Sequence, residues 1–441
     1  MIHKRFGEGK VLTTRASGLE LFIEFEDGIT RWVRMEDVRF SETNKQKDKI
    51  LSNSQTNSVQ QVSHVINNRF KPRKIIESLR LGIFPQDYID SLTFGREREV
   101  RKILEWLKDP EEGALISYGE YGSGKTHFLE YIYYLALKEN WAVSFVELRP
   151  NETPLHKPKA IYEKIINSFK YHKNKNFETF LREIAENPNS NLINAHHHLG
   201  EIVRRIKGNT DFSFCWDWIK GRLNHSGSSI KLPPISRFST WANIICYVLS
   251  GIGYAAKNVL GLKGFLILFD EAENIDVSWY NNYQDQKGWN FLRGLILMAE
   301  NNDQLLNELI KEQFSYTTKS KGTWGEKTKL QYCKKHPYRY LWKKHCNIKS
   351  IFTFTPNLWI FNREPLLSLD KLELNNLKKE ALQNVATKVA DFYRAAYDFE
   401  SNKKVYLNLK QFNTRTYIKA IIEILDLIRF HPNKEIDDLI A

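Results

Sequence analysis

The sequence is poor in cysteine and lacks a long apolar run. These two features argue against a disulfide-stabilised protein and against a membrane-spanning one. Four cysteines are scattered through 441 residues, too few for a disulfide framework, which favours a reducing compartment. Met1–Val11 contains no apolar core of the length that a signal peptide requires. The most membrane-like stretch, Ala242–Ala256, is shorter than the roughly 20 residues that span a bilayer. We therefore expect a cytoplasmic protein that does not cross a membrane.

Acidic residues are also in deficit. The chain has 65 lysines and arginines against 52 aspartates and glutamates, a net charge of +13. This excess favours a polyanionic partner, with nucleic acid ahead of a membrane surface. Hydrophobic residues make up 42% of the chain, which allows a sizeable core and argues against global disorder. The length predicts two or three domains.

The first 68 residues differ in composition from the rest. Residues 1–40 contain short alternating runs broken by glycines and by the Asp27-Gly28 turn, a pattern typical of a small β module. Residues 41–68 are rich in Ser, Asn, Gln and Lys, as expected of a linker.

Apolar strands alternate with helical segments from residue 69 onward, which predicts an α/β fold. The core is assigned to residues 69–360, with a helical insertion after the second strand and a basic, aromatic insertion at 305–350. Residues 361–441 are predicted to be helical, because apolar residues from Leu374 to Ala396 recur at steps of three and four. The predicted core strands are Ala114–Tyr118, Trp141–Leu148, Phe265–Phe269 and Ile351–Thr355.

A phosphate-binding loop follows the first of these strands. Gly119–Thr126 reads Gly-Glu-Tyr-Gly-Ser-Gly-Lys-Thr and matches the P-loop pattern between a strand and a helix. Glycines let backbone N–H groups close around phosphate oxygens, and the helix N-terminus adds its positive dipole end. We assign ATP to this loop, with Lys125 neutralising the β- and γ-phosphates and the Thr126 hydroxyl ligating Mg²⁺. The predicted ATP contacts are Gly119, Gly122, Ser123, Gly124, Lys125 and Thr126.

Two carboxylates follow the strand Phe265–Phe269. Asp270 is predicted to hold Mg²⁺ and Glu271 to orient and deprotonate the attacking water, because phosphoryl transfer needs mainly positioning and charge stabilisation. Alone, an apolar run followed by Asp-Glu also fits a strand that leads into a helix. With the P-loop upstream, Lys125, Asp270 and Glu271 become the predicted catalytic residues of a Mg²⁺-dependent ATPase. Glu273 follows without an assigned role.

Two further polar residues have two interpretations each. Thr355 ends the strand Ile351–Thr355, where its hydroxyl would lie near the γ-phosphate, or it is present for its β propensity. Arg415 begins the last predicted helix and either reaches the phosphates or points to solvent.

Positive charge and aromatic rings are concentrated between residues 311 and 350. This block has eleven lysines and arginines against two glutamates, with Trp and Tyr rings interleaved. Cations for phosphates and flat rings for bases make up a nucleic-acid contact surface, and a solvated basic insertion is the alternative. The residues predicted to contact DNA are Trp324, Lys334, Lys335, Arg339, Trp342, Lys343 and Lys344. Zinc at Cys333-x-x-His336 and His345-Cys346 is a minor alternative, since this spacing matches no usual finger.

These motifs together resemble a known family, the ATP-binding P-loop protein of BREX-type phage-defence loci in bacteria, a branch of the AAA+/STAND-like ATPases. The resemblance covers roughly residues 70–432. The segments that carry it are Arg73–Gly82, Phe94–Glu97, Gly119–Thr126, Pro154–His156, Gly261–Glu273, Thr355-Pro356, Thr414-Arg415 and Ile424–Leu427.

The resemblance implies an AAA+/STAND-like P-loop NTPase fold with helical insertions and a helical C-terminal part. In related ATPases the Gly-Arg-Glu box lies beside the adenine, so Gly95 and Arg96 are carried over as nucleotide-proximal. Thr355 and Arg415 are carried over as the two sensor positions. The basic block is longer than the family pattern, so its role is not inherited.

Residues 1–40 lie outside this match and resemble the small SH3/Tudor-like module of some helicases; a generic β barrel without a ligand is the alternative. The implied function of the whole chain is ATP hydrolysis coupled to DNA engagement in an antiphage defence complex. The alternative is an ATP-dependent scaffold or switch that turns over little and recruits a helicase or methyltransferase. The sequence leaves open whether the protein forms a homo-oligomer.

Overall fold

The computed structural model describes two compact units, Met1–Phe70 and Lys71–Ala441. The described residues are 2–3, 7–15, 20–25, 30–34, 38–39, 69–208, 213–222, 232–233, 242–308, 310–311, 322–325, 327–333, 336–356, 358–399, 409 and 413–434. Within these ranges, no helix combines the length and the apolar character that crossing a bilayer requires.

The N-terminal unit contains an antiparallel sheet. Its strands are β1 (Ile2–His3), β2 (Gly7–Arg15), β3 (Glu20–Phe25), β4 (Thr30–Arg34) and β5 (Val38–Arg39). They lie in the order β4-β3-β2-β1-β5, and Ile23, Phe25 and Val33 are buried. Alternation of apolar and polar residues along β3 buries one of its faces, which is how the sequence specifies this sheet. The SH3/Tudor-like barrel stays a prediction.

The second unit is an α/β fold. Its elements up to the second core strand are α1 (69–80), α2 (Ile89–Leu92), α3 (Glu97–Lys108), β6 (Ala114–Tyr118), α4 (Lys125–Lys138) and β7 (Ala142–Glu147). A helical insertion follows, with α5 (Pro158–Ser168), α6 (Phe177–Glu186), α7 (Leu199–Lys207), α8 (Ser213–Ile219) and α9 (Ala242–Asn258). The later elements are β8 (Phe265–Asp270), α10 (Asn282–Ala299), α11 (Gln304–Asn307), β9 (Ile310–Lys311), β10 (Gly322–Gly325), β11 (Gln331–Cys333), β12 (Ile348–Phe354), α12 (Leu358–Phe361), β13 (Asp370–Glu373), α13 (Lys379–Tyr397) and α14 (Thr414–Phe430).

Five parallel strands form the central sheet, in the order β13-β6-β12-β8-β7. Strand β12 therefore lies between β6, which precedes the P-loop, and β8, which ends at Asp270. Because parallel strands end at the same edge, the residues that follow β6, β8 and β12 converge there, which is where open α/β sheets bind ligands. The parallel α/β sheet is compatible with the predicted P-loop NTPase fold.

Side chains on successive strand residues point to opposite faces of this sheet. Leu268 and Ile351 pack against helices α3 and α4, whereas Ile267 and Phe352 pack in the larger cluster formed with α5–α10. Both faces are covered, which explains why the strands read as continuous apolar runs. A third apolar cluster joins α1, α13 and α14, with Ile76, Leu79, Val385, Val389, Ile421 and Ile422 among its buried members.

The edge strand β13 was not predicted from the sequence. Its four residues have only Leu372 buried, so it carries too little apolar pattern to be recognised as a strand. Leu374 and Leu377, which had been assigned to a helix, precede α13 and fill two different apolar clusters. Their three-residue spacing therefore does not arise from helical periodicity, and the central sheet continues beyond residue 360.

The basic insertion contains a small antiparallel sheet of β9, β10 and β11. Tyr332 and Tyr340 are 1% and 0% exposed and pack edge to face. Two rings that contributed to the aromatic composition of the block thus belong to the core and present no face to a base.

Lys349, also counted in the basic block, is a buried residue of β12. Its ammonium donates hydrogen bonds to the carbonyl oxygens of Trp106 (2.7 Å), Asp109 (2.6 Å) and Glu112, and lies 4.4 Å from the centroid of the Trp106 ring. Burial lowers its pKa to about 8. This lysine bonds to the last turn of α3 and to the segment that follows it, so it ties both to the sheet.

We expect Lys349→Met to destabilise this unit, because the carbonyls that the ammonium satisfies would lose their donor. Loss of a buried charged donor typically costs about 1–3 kcal/mol, and the thermal unfolding midpoint should fall by a few degrees. Lys379→Met, at an exposed position of α13, is the matched control. Equal midpoints for the two variants would contradict the role assigned to Lys349.

Candidate nucleotide-binding site

The P-loop connects β6 to α4 at the carboxyl edge of the sheet. Gly122 and Gly124 have φ angles of 82° and 94°, a region that disfavours residues with a Cβ. A Cβ on Gly122 would also lie 2.6 Å from Cγ of Asn413, the residue that caps α14. The backbone conformation of the loop therefore explains why the motif has glycine at these two positions. The N-terminus of α4 follows the loop directly, as an anion-binding site requires.

Lys125 is held on the loop itself. Its ammonium donates to the carbonyl oxygens of Gly119 at 2.7 Å and Glu120 at 3.3 Å. Burial lowers its pKa, and among the carboxylates that oppose this shift Glu273 has the largest influence. The ammonium thus lies between the loop and the acidic end of the site.

The carboxylate of Asp270 is the most connected group of the site. It is 3% exposed and ends β8. Its Oδ2 accepts a hydrogen bond from the Thr126 hydroxyl at 2.7 Å. Its Oδ1 accepts from the Thr353 hydroxyl and from the Glu271 N–H at 3.1 Å. Residues from α4, β8 and β12 are joined through one side chain, and the Thr353 contact was not predicted.

The Thr126 hydroxyl has lone pairs to offer, because its one proton is donated to Asp270. Hydroxyl and carboxylate oxygens are the hard ligands that Mg²⁺ prefers, and Mg²⁺ is commonly held by one or two protein groups together with substrate phosphates. The described residues contain no cluster of three or more His, Cys, Asp or Glu that could hold a metal. The oxygen donors of Thr126 and Asp270 fit a metal that is shared with phosphate.

Glu271 follows Asp270 in a left-handed conformation, with φ of 55°, and is exposed. Partial loss of hydration raises its pKa, and repulsion from Glu147, Asp270 and Glu273 adds to the shift. Its Oε2 accepts from the Asn274 amide at 3.4 Å. A carboxylate with a raised pKa is a better proton acceptor near neutral pH, so Glu271 has the chemistry of a general base.

Thr355 lies one residue beyond β12 and bonds to Glu273. Its hydroxyl donates to Glu273 Oε1 at 2.7 Å, and both residues line the same cavity as Lys125. Sequence analysis assigned no role to Glu273. Its position three residues after Asp270 was the available signal, but its contact partner is 82 positions away and depends on the strand order.

Arg96 contacts the P-loop and lines the cavity beside that loop. It is 6% exposed, and its guanidinium donates to the carbonyl oxygens of Ser123 at 2.5 Å and Asn375 at 2.8 Å. Burial lowers its pKa, an effect that nearby Glu99 opposes. Gly95, with φ of 67°, lies against Ala381 of α13, where a Cβ would come within 2.6 Å of the alanine Cβ. The structure therefore gives these two residues packing contacts, and Arg96 in addition fixes the loop.

The cavity beside the P-loop has a volume of about 360 Å³ and an apolar end. Phe84, Phe94, Leu377, Val385 and Ile418 are among the residues that line it. A planar base needs apolar walls of this kind, while the phosphate loop and the carboxylates line the other end. The cavity thus has the two-part character expected of a nucleotide site.

His127 lies beside the apolar end. Its ring centroid is 4.2 Å from that of Phe84, and its Nε2 lies 2.9 Å from the Thr93 hydroxyl. Because Thr93 donates its proton to the Ile89 carbonyl at 2.7 Å, Nε2 must be the protonated nitrogen. Burial lowers the pKa of His127 to about 4, so the ring is neutral at physiological pH.

Arg415 is exposed and lies at the same cavity, in the first turn of α14. Its guanidinium donates to the Tyr121 hydroxyl of the P-loop at 3.4 Å. The packing of Asn413 on Gly122 places the start of α14 next to the phosphate loop. Arg415 is thus part of the cavity lining, and its role as a sensor stays a prediction.

The residues predicted to contact DNA are only partly described. Lys334 and Lys335 and the side chain of Trp324 lie outside the described residues. Arg339, Lys343 and Lys344 are exposed. The Lys343 ammonium lies 4.4 Å from the centroid of the Trp342 ring, and Lys344 forms an ion pair with Asp303 at 2.6 Å. Trp342 is partly buried and packs edge-on against His196 and Tyr254. In the described part of the block, these cationic side chains are thus exposed to solvent, whereas the Trp342 ring is packed against other rings.

A comparison with protein families matches residues 67–190 to the BREX system ATP-binding protein BrxC/D. Over this region the chain is similar to BREX-type ATP-binding proteins. The resemblance expected from the sequence is confirmed for that region, which includes Arg96, the P-loop and β7. The match does not extend to the N-terminal module. A comparison with curated proteins found no match.

We expect Arg96→Met to weaken ATP binding, because the loop carbonyl of Ser123 would lose the donor that holds it. A charged hydrogen bond contributes about 1.5–3 kcal/mol, so the Kd for ATP should rise at least about tenfold. Arg98→Met, exposed on the same helix, is the control, with calorimetry as the measurement. An unchanged Kd for Arg96→Met in a folded protein would remove Arg96 from the site.

Proposed function

We propose that this protein binds ATP with Mg²⁺ and hydrolyses it, as an AAA+/STAND-like ATPase of a BREX-type defence complex in the cytoplasm. The observation that carries the proposal is the hydrogen bond from Thr126 to Asp270. It joins the P-loop, which holds phosphates, to the carboxylate that ends β8. The family match over the P-loop region supports the nucleotide.

In this proposal the N–H groups of the loop and the Lys125 ammonium bind the β- and γ-phosphates. Thr126 and Asp270 would hold Mg²⁺, which supplies neutralisation of phosphate charge. Glu271 orients a water molecule in line with the γ-phosphorus and accepts a proton as the new P–O bond forms. The bond to the β-phosphate oxygen breaks, giving ADP and phosphate.

Arg415 is proposed as the residue that responds to the γ-phosphate, and Thr355, whose hydroxyl proton is donated to Glu273, is proposed to act beside it through the attacking water. Arg415 belongs to α14, which packs with α13 and α1 in a separate apolar cluster. A guanidinium that changes partner from Tyr121 to a phosphate oxygen would move the start of that helix with it. This gives the helical part a route by which hydrolysis could alter its position.

DNA engagement is proposed as the process that hydrolysis serves. It is supported by the excess of positive charge between residues 311 and 350 and by the exposure of Arg339 and Lys343. The alternative, a scaffold that binds ATP and recruits a helicase or methyltransferase, predicts tight binding with little turnover and no stimulation by DNA.

Glu271→Gln should bind ATP but hydrolyse it at least about 100-fold more slowly, because the amide keeps the shape and loses the proton acceptor. Lys125→Ala is the comparison variant and should fail to bind, since the loop loses its charge for the phosphates. Calorimetry measures binding and phosphate release measures turnover. Unchanged turnover in Glu271→Gln would show that the base lies elsewhere, and negligible turnover in the parent protein with and without DNA would favour the scaffold.

The double variant Arg339→Gln/Lys343→Gln should weaken DNA binding for all sequences alike. Each lost phosphate contact removes about 0.7–0.9 from the slope of log K against log salt, so two lost contacts flatten it by roughly twice that amount. Lys378→Gln/Lys379→Gln, exposed at the start of α13, controls for net charge. Fluorescence anisotropy at several salt concentrations measures the slope, and an equal slope in both variants would remove these residues from a DNA contact.

A further inference from the structure

Two threonines at the end of β12 donate hydrogen bonds to the acidic segment that follows β8. Thr353 donates to Asp270 Oδ1, and Thr355 donates to Glu273 Oε1 at 2.7 Å. The two strands are parallel neighbours in the sheet, so the end of one reaches the segment after the other. The first and last carboxylates of Asp270–Glu273 are thereby occupied by hydroxyl donors, and Glu271 between them is not.

The bond to Glu273 determines what Thr355 can offer. A threonine hydroxyl has one proton and two lone pairs. While the proton is donated to Glu273, the oxygen can only accept a further hydrogen bond. A phosphate oxygen carries no proton to donate, whereas a water molecule does. Thr355 is therefore suited to accept an O–H bond from water and is unsuited to contact the γ-phosphate directly.

Thr355 and Glu273 lie at the phosphate end of the cavity. Both line it together with Lys125 and Glu271. Glu273 is also the carboxylate whose charge acts most strongly on the Lys125 ammonium. An acceptor oxygen on Thr355 is consequently near the group proposed as the general base, where the attacking water has to be oriented.

Glu273 differs from Glu271 in how its oxygens are used. Oε1 is bonded to Thr355, and Oε2 is buried without a hydrogen-bond partner among the described residues. Glu271 is exposed and accepts one long contact from Asn274. The geometry favours Glu271 as the group that meets water and Glu273 as the group that holds Thr355.

We propose that Glu273 is a positioning residue for ATP hydrolysis, which accepts the hydrogen bond donated by the Thr355 hydroxyl and so presents a lone pair of the Thr355 oxygen to the attacking water. This inference rests on the proposed hydrolysis and deepens it. The general base remains Glu271, and Glu273 acts only through Thr355.

The test is a set of variants assayed for both turnover and ATP affinity. Glu273→Met removes the acceptor, and Thr355→Val removes the hydroxyl. Each should lower kcat by about tenfold, the factor that corresponds to about one hydrogen bond in the transition state, with the Kd for ATP within about twofold of the parent. Because the two residues act as one unit, the double variant should fall no further than either single one.

Two conservative variants separate positioning from base catalysis. Glu273→Gln keeps an oxygen that can accept a hydrogen bond from Thr355, and Thr355→Ser keeps the hydroxyl. Each conservative variant should therefore have a kcat close to that of the parent, unlike Glu273→Met and Thr355→Val. Glu380→Met and Thr387→Val, exposed on α13, are the matched controls and should behave as the parent.

Three outcomes would overturn the inference. If Glu273→Gln is as slow as Glu273→Met, Glu273 is itself the base. If the losses in kcat multiply in the double variant, the two residues act independently. If kcat is unchanged in Glu273→Met, the bond has no role in turnover. A parent protein that binds no ATP or shows no turnover would overturn the proposed function as well, and this result is distinct from the other three.

Discussion

The buried carboxylate of Asp270 is the constraint on which the arrangement of the site depends. Removing a charged group from water is costly unless hydrogen bonds replace the lost hydration. Here the replacements come from a threonine of the P-loop helix, a threonine of β12 and the backbone that follows β8. All three donors are neutral, so the carboxylate is held in place and keeps its negative charge for a cation. The same contacts fix the P-loop helix relative to the sheet.

A second set of contacts connects the loop to the helical part of the chain. Arg96 joins Ser123 of the P-loop to Asn375, just before α13, and Asn413 at the start of α14 lies against Gly122. The P-loop is thus in contact with both ends of the region that forms the α1, α13 and α14 cluster. A change in the conformation of this loop therefore acts on that cluster through the buried Arg96 and through the start of α14.

Local sequence was sufficient to predict the P-loop, the acidic pair Asp270-Glu271 and most core strands, since each is specified by a few consecutive residues. The bonds of Thr353 and Thr355 could not be predicted, because their partners are more than 80 positions away and become neighbours only through the strand order. Strand β13 was missed because an edge strand with one buried residue carries almost no pattern. In the basic block, composition misled in a different way: rings that pack in a core and rings that stack on bases have the same sequence signature, and Tyr332 and Tyr340 are of the first kind.

The distribution of charge along the cavity indicates which form of nucleotide the site accepts. Carboxylates are crowded at the phosphate end, where burial and the charge of Asp270 raise the pKa of Glu130 to about 7. Burial, together with repulsion from neighbouring carboxylates, also raises the pKa of Glu271. ATP without a metal ion would bring further negative charge to this end. Lys125 and the loop amides would then have to offset the charge of the phosphates and that of the carboxylates. A cation held by Thr126 and Asp270, as in the proposed function, would offset that repulsion by supplying positive charge beside the carboxylates. Under the proposed function, cation and nucleotide would therefore stabilise each other's binding, because the acidic end that would repel the nucleotide alone would attract the cation.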